Sequence, residues 1–129
     1  MNESFPDQKT SGTESDGTEV EKPPLDEVTL EALREAMDDE FDELVDAFVE
    51  DSNQLLADAR GAAADNDPER LMLAAHSLKS SGGNFGAEPL ARLAYALEEM
   101  GRAGDTEAAG PMLERLGAEL ARVQRALGA

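Results

Sequence analysis

From Leu25 onward, apolar side chains recur every three or four positions, the spacing that gathers them on one face of an α-helix. The first such stretch is short, about Thr29 to Met37, with Leu30, Leu33 and Met37 on one side. The second is long, roughly Asp39 to Ala64. Its apolar positions are Phe41, Leu44, Val45, Phe48, Leu55, Leu56, Ala59 and Ala63, with Ser52 as the one gap in the stripe. Asp65-Asn66-Asp67 then breaks the pattern, and Asp67-Pro68 supplies an N-cap followed by proline at the first helical position. A third helix fades into Gly82-Gly83-Asn84-Phe85-Gly86. A fourth, about Pro89 to Met100, turns Leu90, Leu93, Ala94, Leu97 and Met100 inward and is expected to end at Gly101 or Gly104. Asp105 is placed to cap a last helix that buries Leu113, Leu116, Leu120, Val123 and Leu127. Gly110-Pro111 interrupts that stretch, so the helix is expected to kink there or to begin at Pro111.

No strand pattern occurs. Four amphipathic helices joined by short turns predict an all-α fold, an antiparallel four-helix bundle with the short first helix capping one end. Residues 1–24 are rich in Ser, Thr, Gly, Glu and Asp, lack periodicity and end in Pro23-Pro24. They read as a disordered acidic tail ahead of a bundle domain spanning 25–129.

Composition narrows the function classes. Hydrophobic residues make up 40% of the chain but aromatics only 4%, with no Trp, so the core must be built mostly from Leu, Ala, Val and Met. The absence of cysteine removes disulfides, thiolate metal sites and thiol catalysis. Acidic residues outnumber basic ones 29 to 11, for a net charge of -18. Nucleic acid, whose recognition needs clustered Lys and Arg, is thereby a poor partner, and anionic membrane surfaces are disfavoured. The acidity reads as a solubility feature before it reads as a docking device for a basic partner. Met1-Asn2-Glu3-Ser4-Phe5 has neither a basic start nor an apolar stretch, and the apolar run Leu71 to Ala75 is far too short to span a bilayer. A cytoplasmic protein is expected.

One segment carries candidate chemistry. Ala75-His76-Ser77-Leu78-Lys79-Ser80-Ser81-Gly82-Gly83 holds the only histidine and the only lysine outside the tail. At about 100° per residue, Leu71, Ala74, Ala75, Leu78, Ser81, Gly82 and Phe85 share the buried side. His76 then projects to solvent with Lys79, Ser80 and Gly83 beside it. A neutral imidazole nitrogen is nucleophilic at neutral pH and can take a phosphoryl group as a reactive phosphoramidate. Lys79, one turn on, would offer positive charge to the transferring oxygens. Ser80 and Gly83 add no bulk, so a partner could come close. Met72 and Leu73 also lie near the histidine face and are candidates for a docking patch. Against this, a lone surface histidine is most often only a surface residue, and Gly82-Gly83 has the lesser alternative of simply ending the helix early.

The run Ala75-His76-Ser77-Leu78-Lys79, followed by Gly83-Asn84-Phe85-Gly86-Ala87, closely resembles the pattern A-H-x-L-K-[GS]-x-x-x-x-x-G of histidine-containing phosphotransfer (HPt) domains. Leu44 to Phe48 with Leu55-Leu56, the Leu90, Leu93 and Leu97-Glu98 run, and Gly104-Asp105 also sit where that family has counterparts, so the resemblance covers about 25–127. It implies that His76 is phosphorylated, that Lys79 helps hold the phosphoryl group, and that Gly83 shapes the docking surface for a receiver domain. Partners would be response-regulator receivers or a hybrid histidine kinase, in a phosphorelay between receiver aspartates. Mg²⁺ would belong to the receiver, and the chain itself would need no cofactor or metal. Ser80 departs from the glycine common at that position, a small residue that would alter the partner's loop contacts at most.

The competing readings are weaker. There is no G-x-x-x-x-G-K nucleotide loop, so an enzyme with its own ATP site or kinase machinery is not expected. A di-iron bundle needs Glu-x-x-His pairs, whereas residue 73 is Leu and no second histidine exists. A phosphoacceptor domain of a chemotaxis-type histidine kinase would continue into catalytic domains, whereas this chain ends near its last helix. A non-catalytic adaptor bundle would not require both His76 and Lys79. A free-standing, monomeric phosphoryl carrier is the expectation.

Overall fold

The computed structural model describes residues 22–128. Its elements are α1 (Glu27–Met37), a 3₁₀ turn (Asp38–Glu40), α2 (Phe41–Ala64), α3 (Pro68–Asn84), α4 (Glu88–Arg102) and α5 (Ala109–Ala126). Among the described residues there is no strand. The expected tail falls outside the described residues apart from 22–24, where Arg122 of α5 donates to the Lys22 carbonyl at 2.8 Å.

Each long helix packs on its neighbour in the chain, and α5 returns to close against α2. That is the up-and-down bundle expected of short connections. The turns are built by the local sequence. α2 ends on Asn66 at φ 54, α3 on Gly86 at φ 73 and α4 on Gly104 at φ 77. In each case the following residue's N–H reaches back into the last turn: Asp67 to Ala62, Ala87 to Gly82 and Asp105 to Met100. These are Schellman closures, which satisfy carbonyls the helix would leave open. Asp67 caps α3 as expected, its Oδ1 accepting from Arg70 N–H at 3.2 Å with Pro68 at the first helical position.

The stripes read from the sequence form one core. Phe41, Val45, Phe48, Leu56 and Ala59 of α2 meet Leu71, Ala74, Ala75 and Leu78 of α3, Leu90, Ala94 and Leu97 of α4, and Leu113, Leu116, Leu120 and Val123 of α5. Ser52, the gap, is fully buried. Its hydroxyl donates to the Phe48 carbonyl at 2.6 Å, so the polar atom is satisfied within its own helix. At the end of α2, Ala62 is fully buried and Ala63 only half-buried.

One expectation changes and two open choices are resolved. Gly82-Gly83 does not end α3, which continues to Asn84. Of the two terminators expected for α4, Gly101 lies inside the helix, which runs to Arg102, and Gly104 is the one that ends it. Last, α5 neither kinks nor begins at Pro111 but starts at Ala109, because a proline in the first turn sacrifices no intrahelical bond. Asp105 caps the turn before it, accepting from Ala108 N–H at 3.2 Å.

The short α1 starts at Glu27 and lies at the end of the bundle where α3 turns into α4. Asp26 N–H donates to the Gly86 carbonyl at 2.8 Å, Leu25 and Leu30 are buried, and Phe48 and Phe85 stack beneath with ring centroids 4.6 Å apart.

The α3–α4 pairing positions everything that follows. A Cβ on Gly101 would lie 2.7 Å from Met72 N and 2.8 Å from the Pro68 carbonyl oxygen. One on Gly82 would meet Leu90 Cδ2 at 3.3 Å. Both ends of the pair are therefore held at glycine spacing. Gly101→Ala must push backbone against backbone and is expected to cost about 2 kcal/mol or more. Gly110→Ala, in open space within α5, should gain up to about 0.5 kcal/mol. Urea unfolding of the two variants beside the parent checks both signs; a neutral Gly101→Ala would mean the helices have room to spare.

Candidate phosphotransfer site

His76 projects from the middle of α3 with 59% of its side chain exposed, as the helical reading required. Its ring nevertheless leans on the neighbouring helix. Nδ1 lies 3.0 Å from Oε2 of Glu98 on α4. Glu98 itself is only 3% exposed, and Lys79 Nζ sits 2.8 Å from its other oxygen, Oε1. Arg102, one turn along α4, donates through Nη2 to Glu98 Oε2 at 2.9 Å and through Nε to Glu99 Oε2 at 3.2 Å. The Lys79 ammonium also stands 5.2 Å from the centroid of the Tyr95 ring, a cation–π distance.

The arrangement has a chemical direction. A carboxylate accepts and does not donate, so the Glu98 contact favours the tautomer with hydrogen on Nδ1. The Nε2 lone pair is then the one left on the exposed side of the ring. Glu98 is held ionised below the ordinary carboxyl value of 4.5, foremost by the Lys79 ammonium; burial opposes this, and the His76 contact adds to it.

The structure brings His76 and Lys79 together through Glu98. Ser80 and Gly83 are exposed, and a Cβ on Gly83 would meet nothing within 4 Å. Leu73, one turn before His76, is 57% exposed. Met72 is half-buried, its backbone forming part of the Gly101 contact, so it belongs as much to the α3–α4 packing as to the surface.

Sequence reasoning gave Glu98 no role. The readable signal is its phase: it falls at the edge of the inward arc of Ala94, Leu97 and Gly101, where a carboxylate that is buried needs a cationic partner. Arg102 and Tyr95 were likewise passed over, being ordinary surface residues on periodicity alone.

An exposed histidine oriented by a buried carboxylate, with a lysine one turn away on a helical bundle, is the arrangement that comparison with known proteins places in a family. The family model for the Hpt domain matches residues 43–126. The fold is similar to the crystal structure of histidine-containing phosphotransfer protein B from Pseudomonas aeruginosa PAO1. The TM-score is 0.77 and the identity 37%, over 79% of this chain and 89% of that one. Among curated proteins none matches. The chain belongs to the Hpt domain family, and its function is histidine phosphotransfer in a phosphorelay. Proteins of this family are phosphoryl carriers rather than kinases, working with receiver domains and kinases. Among the described residues no helix is long and apolar enough to cross a membrane.

The depressed Glu98 titration has a signed consequence. Its ion pairs contribute stability above the ordinary carboxyl value of 4.5, and that contribution is lost as pH falls through the lower folded-state value. Glu98→Gln should therefore be less stable than the parent at pH 7, with the gap narrowing in acid. Equal gaps at pH 7 and in strong acid would show that Glu98 contributes packing and no charge.

Proposed function

We propose that His76 is the phosphoacceptor, taking a phosphoryl group at Nε2 from the phospho-aspartate of one receiver domain and passing it to the aspartate of another. The observation that carries this reading is the combination of an exposed ring with a buried carboxylate at its Nδ1. In the forward step the P–O bond of the acyl phosphate breaks, and its electron pair leaves on the donor aspartate. The Nε2 lone pair forms the N–P bond. The Nδ1 proton stays on the ring, which gains positive charge as Nε2 is substituted, and Glu98 faces that charge at 3.0 Å. No proton has to leave. The return step reverses the sequence, the lone pair returning to Nε2 as a second aspartate takes the phosphorus.

Lys79 supplies cationic charge to the phosphoryl oxygens. Leu73, Ser80 and Gly83, with the accessible edge of Met72, form the surface against which the receiver's loops settle; all lie within two turns of His76 on α3. Mg²⁺ comes with the receiver, and the chain works as a carrier without an ATP site, cofactor or metal of its own. A cytoplasmic monomer that docks weakly and transiently fits so small a patch.

The test is transfer from a phosphorylated receiver domain to the parent chain and to His76→Ala. Label should appear on the parent in an acid-labile, base-stable form and be absent from the variant. A parent that stays unlabelled with several cognate receivers would overturn the assignment. Lys79→Ala should keep the label but slow its arrival by roughly tenfold or more. Leu73→Gln should leave helix content unchanged and weaken receiver binding severalfold; unaltered affinity would remove Leu73 from the docking surface.

A further inference from the structure

Lys79 is asked to do two things, and the structure indicates which residue lets it do both. Before any phosphoryl group arrives, its ammonium is an ion-pair partner of Glu98, 2.8 Å from Oε1. To meet a phosphoryl group on Nε2 it must shift charge from that carboxylate toward the new one. Glu98 is 3% exposed, and a buried carboxylate stripped of its cation is unfavourable. The imidazolium that forms on phosphorylation also faces Glu98, but its charge is offset by the phosphoryl group on the same ring, so the move is easier for Lys79 if a further cation stays on Glu98.

We propose that Arg102 is that reserve counter-ion: it stays on Glu98 while Lys79 turns to the phosphoryl group. This inference rests on His76 being the phosphoacceptor and names a positioning residue for the same site. Arg102 donates to Oε2, the oxygen that also takes His76 Nδ1, at 2.9 Å. Its Nε is at the same time engaged by Glu99 Oε2 at 3.2 Å, so two carboxylates of its own helix hold it in place. Lys79 is tied differently. One carboxylate oxygen and the face of Tyr95, 5.2 Å from ring centroid to Nζ, are its contacts. An ammonium is a compact charge on a flexible stem, whereas a guanidinium is a planar fork suited to bridging carboxylates. Of the cations around Glu98, Lys79 holds a single carboxylate oxygen through one ammonium, whereas Arg102, though 55% exposed, bridges two carboxylates, so the bridging fork is the better fitted to stay.

Phosphorylation at Nε2 sharpens the need. The phosphoryl group brings close to two negative charges next to a carboxylate that is already ionised. Without Arg102, Glu98 would keep only the ring N–H of the phosphorylated His76, and Lys79 would be divided between that buried carboxylate and the phosphoryl oxygens. With Arg102 in place, Glu98 keeps a cation, and its hold on Nδ1 survives the transfer.

The lysines are Lys9, Lys22 and Lys79, few enough that the Lys79 side chain can be followed by ¹⁵N NMR in the full chain. The protein would be phosphorylated directly with phosphoramidate, so that no receiver is needed. In the parent, the Lys79 ¹⁵Nζ signal is expected to shift on phosphorylation. In Arg102→Gln it should stay near its unphosphorylated position, with receiver transfer slowed by about tenfold, and Arg102→Lys should recover most of both. A Lys79 shift in Arg102→Gln equal to the parent's would overturn the proposal, and so would full-rate transfer by that variant. Failure of phosphoramidate to label His76 in the parent would be a different result, one that removes the phosphoacceptor reading and this inference with it.

Discussion

The spacing between α3 and α4 governs the molecule. Gly101 lets α4 approach the backbone of α3 at Pro68 and Met72, and Gly82 admits Leu90 at the other end of the same pair. Between these closures the two helices run in antiparallel register, which brings Glu98 beside His76 and Tyr95 beside Lys79. Were the helices a side chain further apart, Glu98 would fall short of the imidazole, and the histidine would be one more exposed residue. The chemistry at the surface is thus set by a contact made in the interior.

That dependence explains what the sequence could and could not disclose. The apolar stripes are a one-dimensional record of burial, so the buried faces of α2, α3, α4 and α5 could be read directly. The solvent-facing phase of His76 followed from the same arithmetic. Glu98 resisted because its meaning lies in a pairing 22 residues distant; within its own helix it is a charge at the margin of an apolar face. Gly101 resisted for a related reason. A glycine near a helix end looks like a terminator, and only the neighbouring backbone shows that it is a contact point. Ser52 is the converse, a polar residue that burial tolerates because its hydroxyl bonds to its own helix.

The division between rigid and adaptable parts follows the chain's composition. Apart from Phe41, Phe48 and Phe85, the core is made of Leu, Ala and Val interlocked across α2 to α5, and such packing holds its geometry because voids and overlaps are both unfavourable. On that frame the site side chains sit at the surface, His76 more than half exposed and Lys79 a third. A partner meets a firm helix face bearing one reactive ring and one long, adaptable cation. The left-handed closures after α2, α3 and α4 keep the helix ends from fraying into that face.

The bond between His76 Nδ1 and the buried carboxylate also decides regiochemistry. An imidazole free in solution offers two nitrogens, and phosphorylation gives two constitutional isomers. Here one nitrogen is committed to Glu98 at 3.0 Å, and a phosphorus at that atom would have to displace a carboxylate from the protein interior. With His76 as the proposed phosphoacceptor, the fold would select a single isomer, with the phosphorus on the ring atom farther from the backbone. On that proposal, a receiver docking on α3 would meet the phosphoryl group at one reach from the helix and along one line of approach.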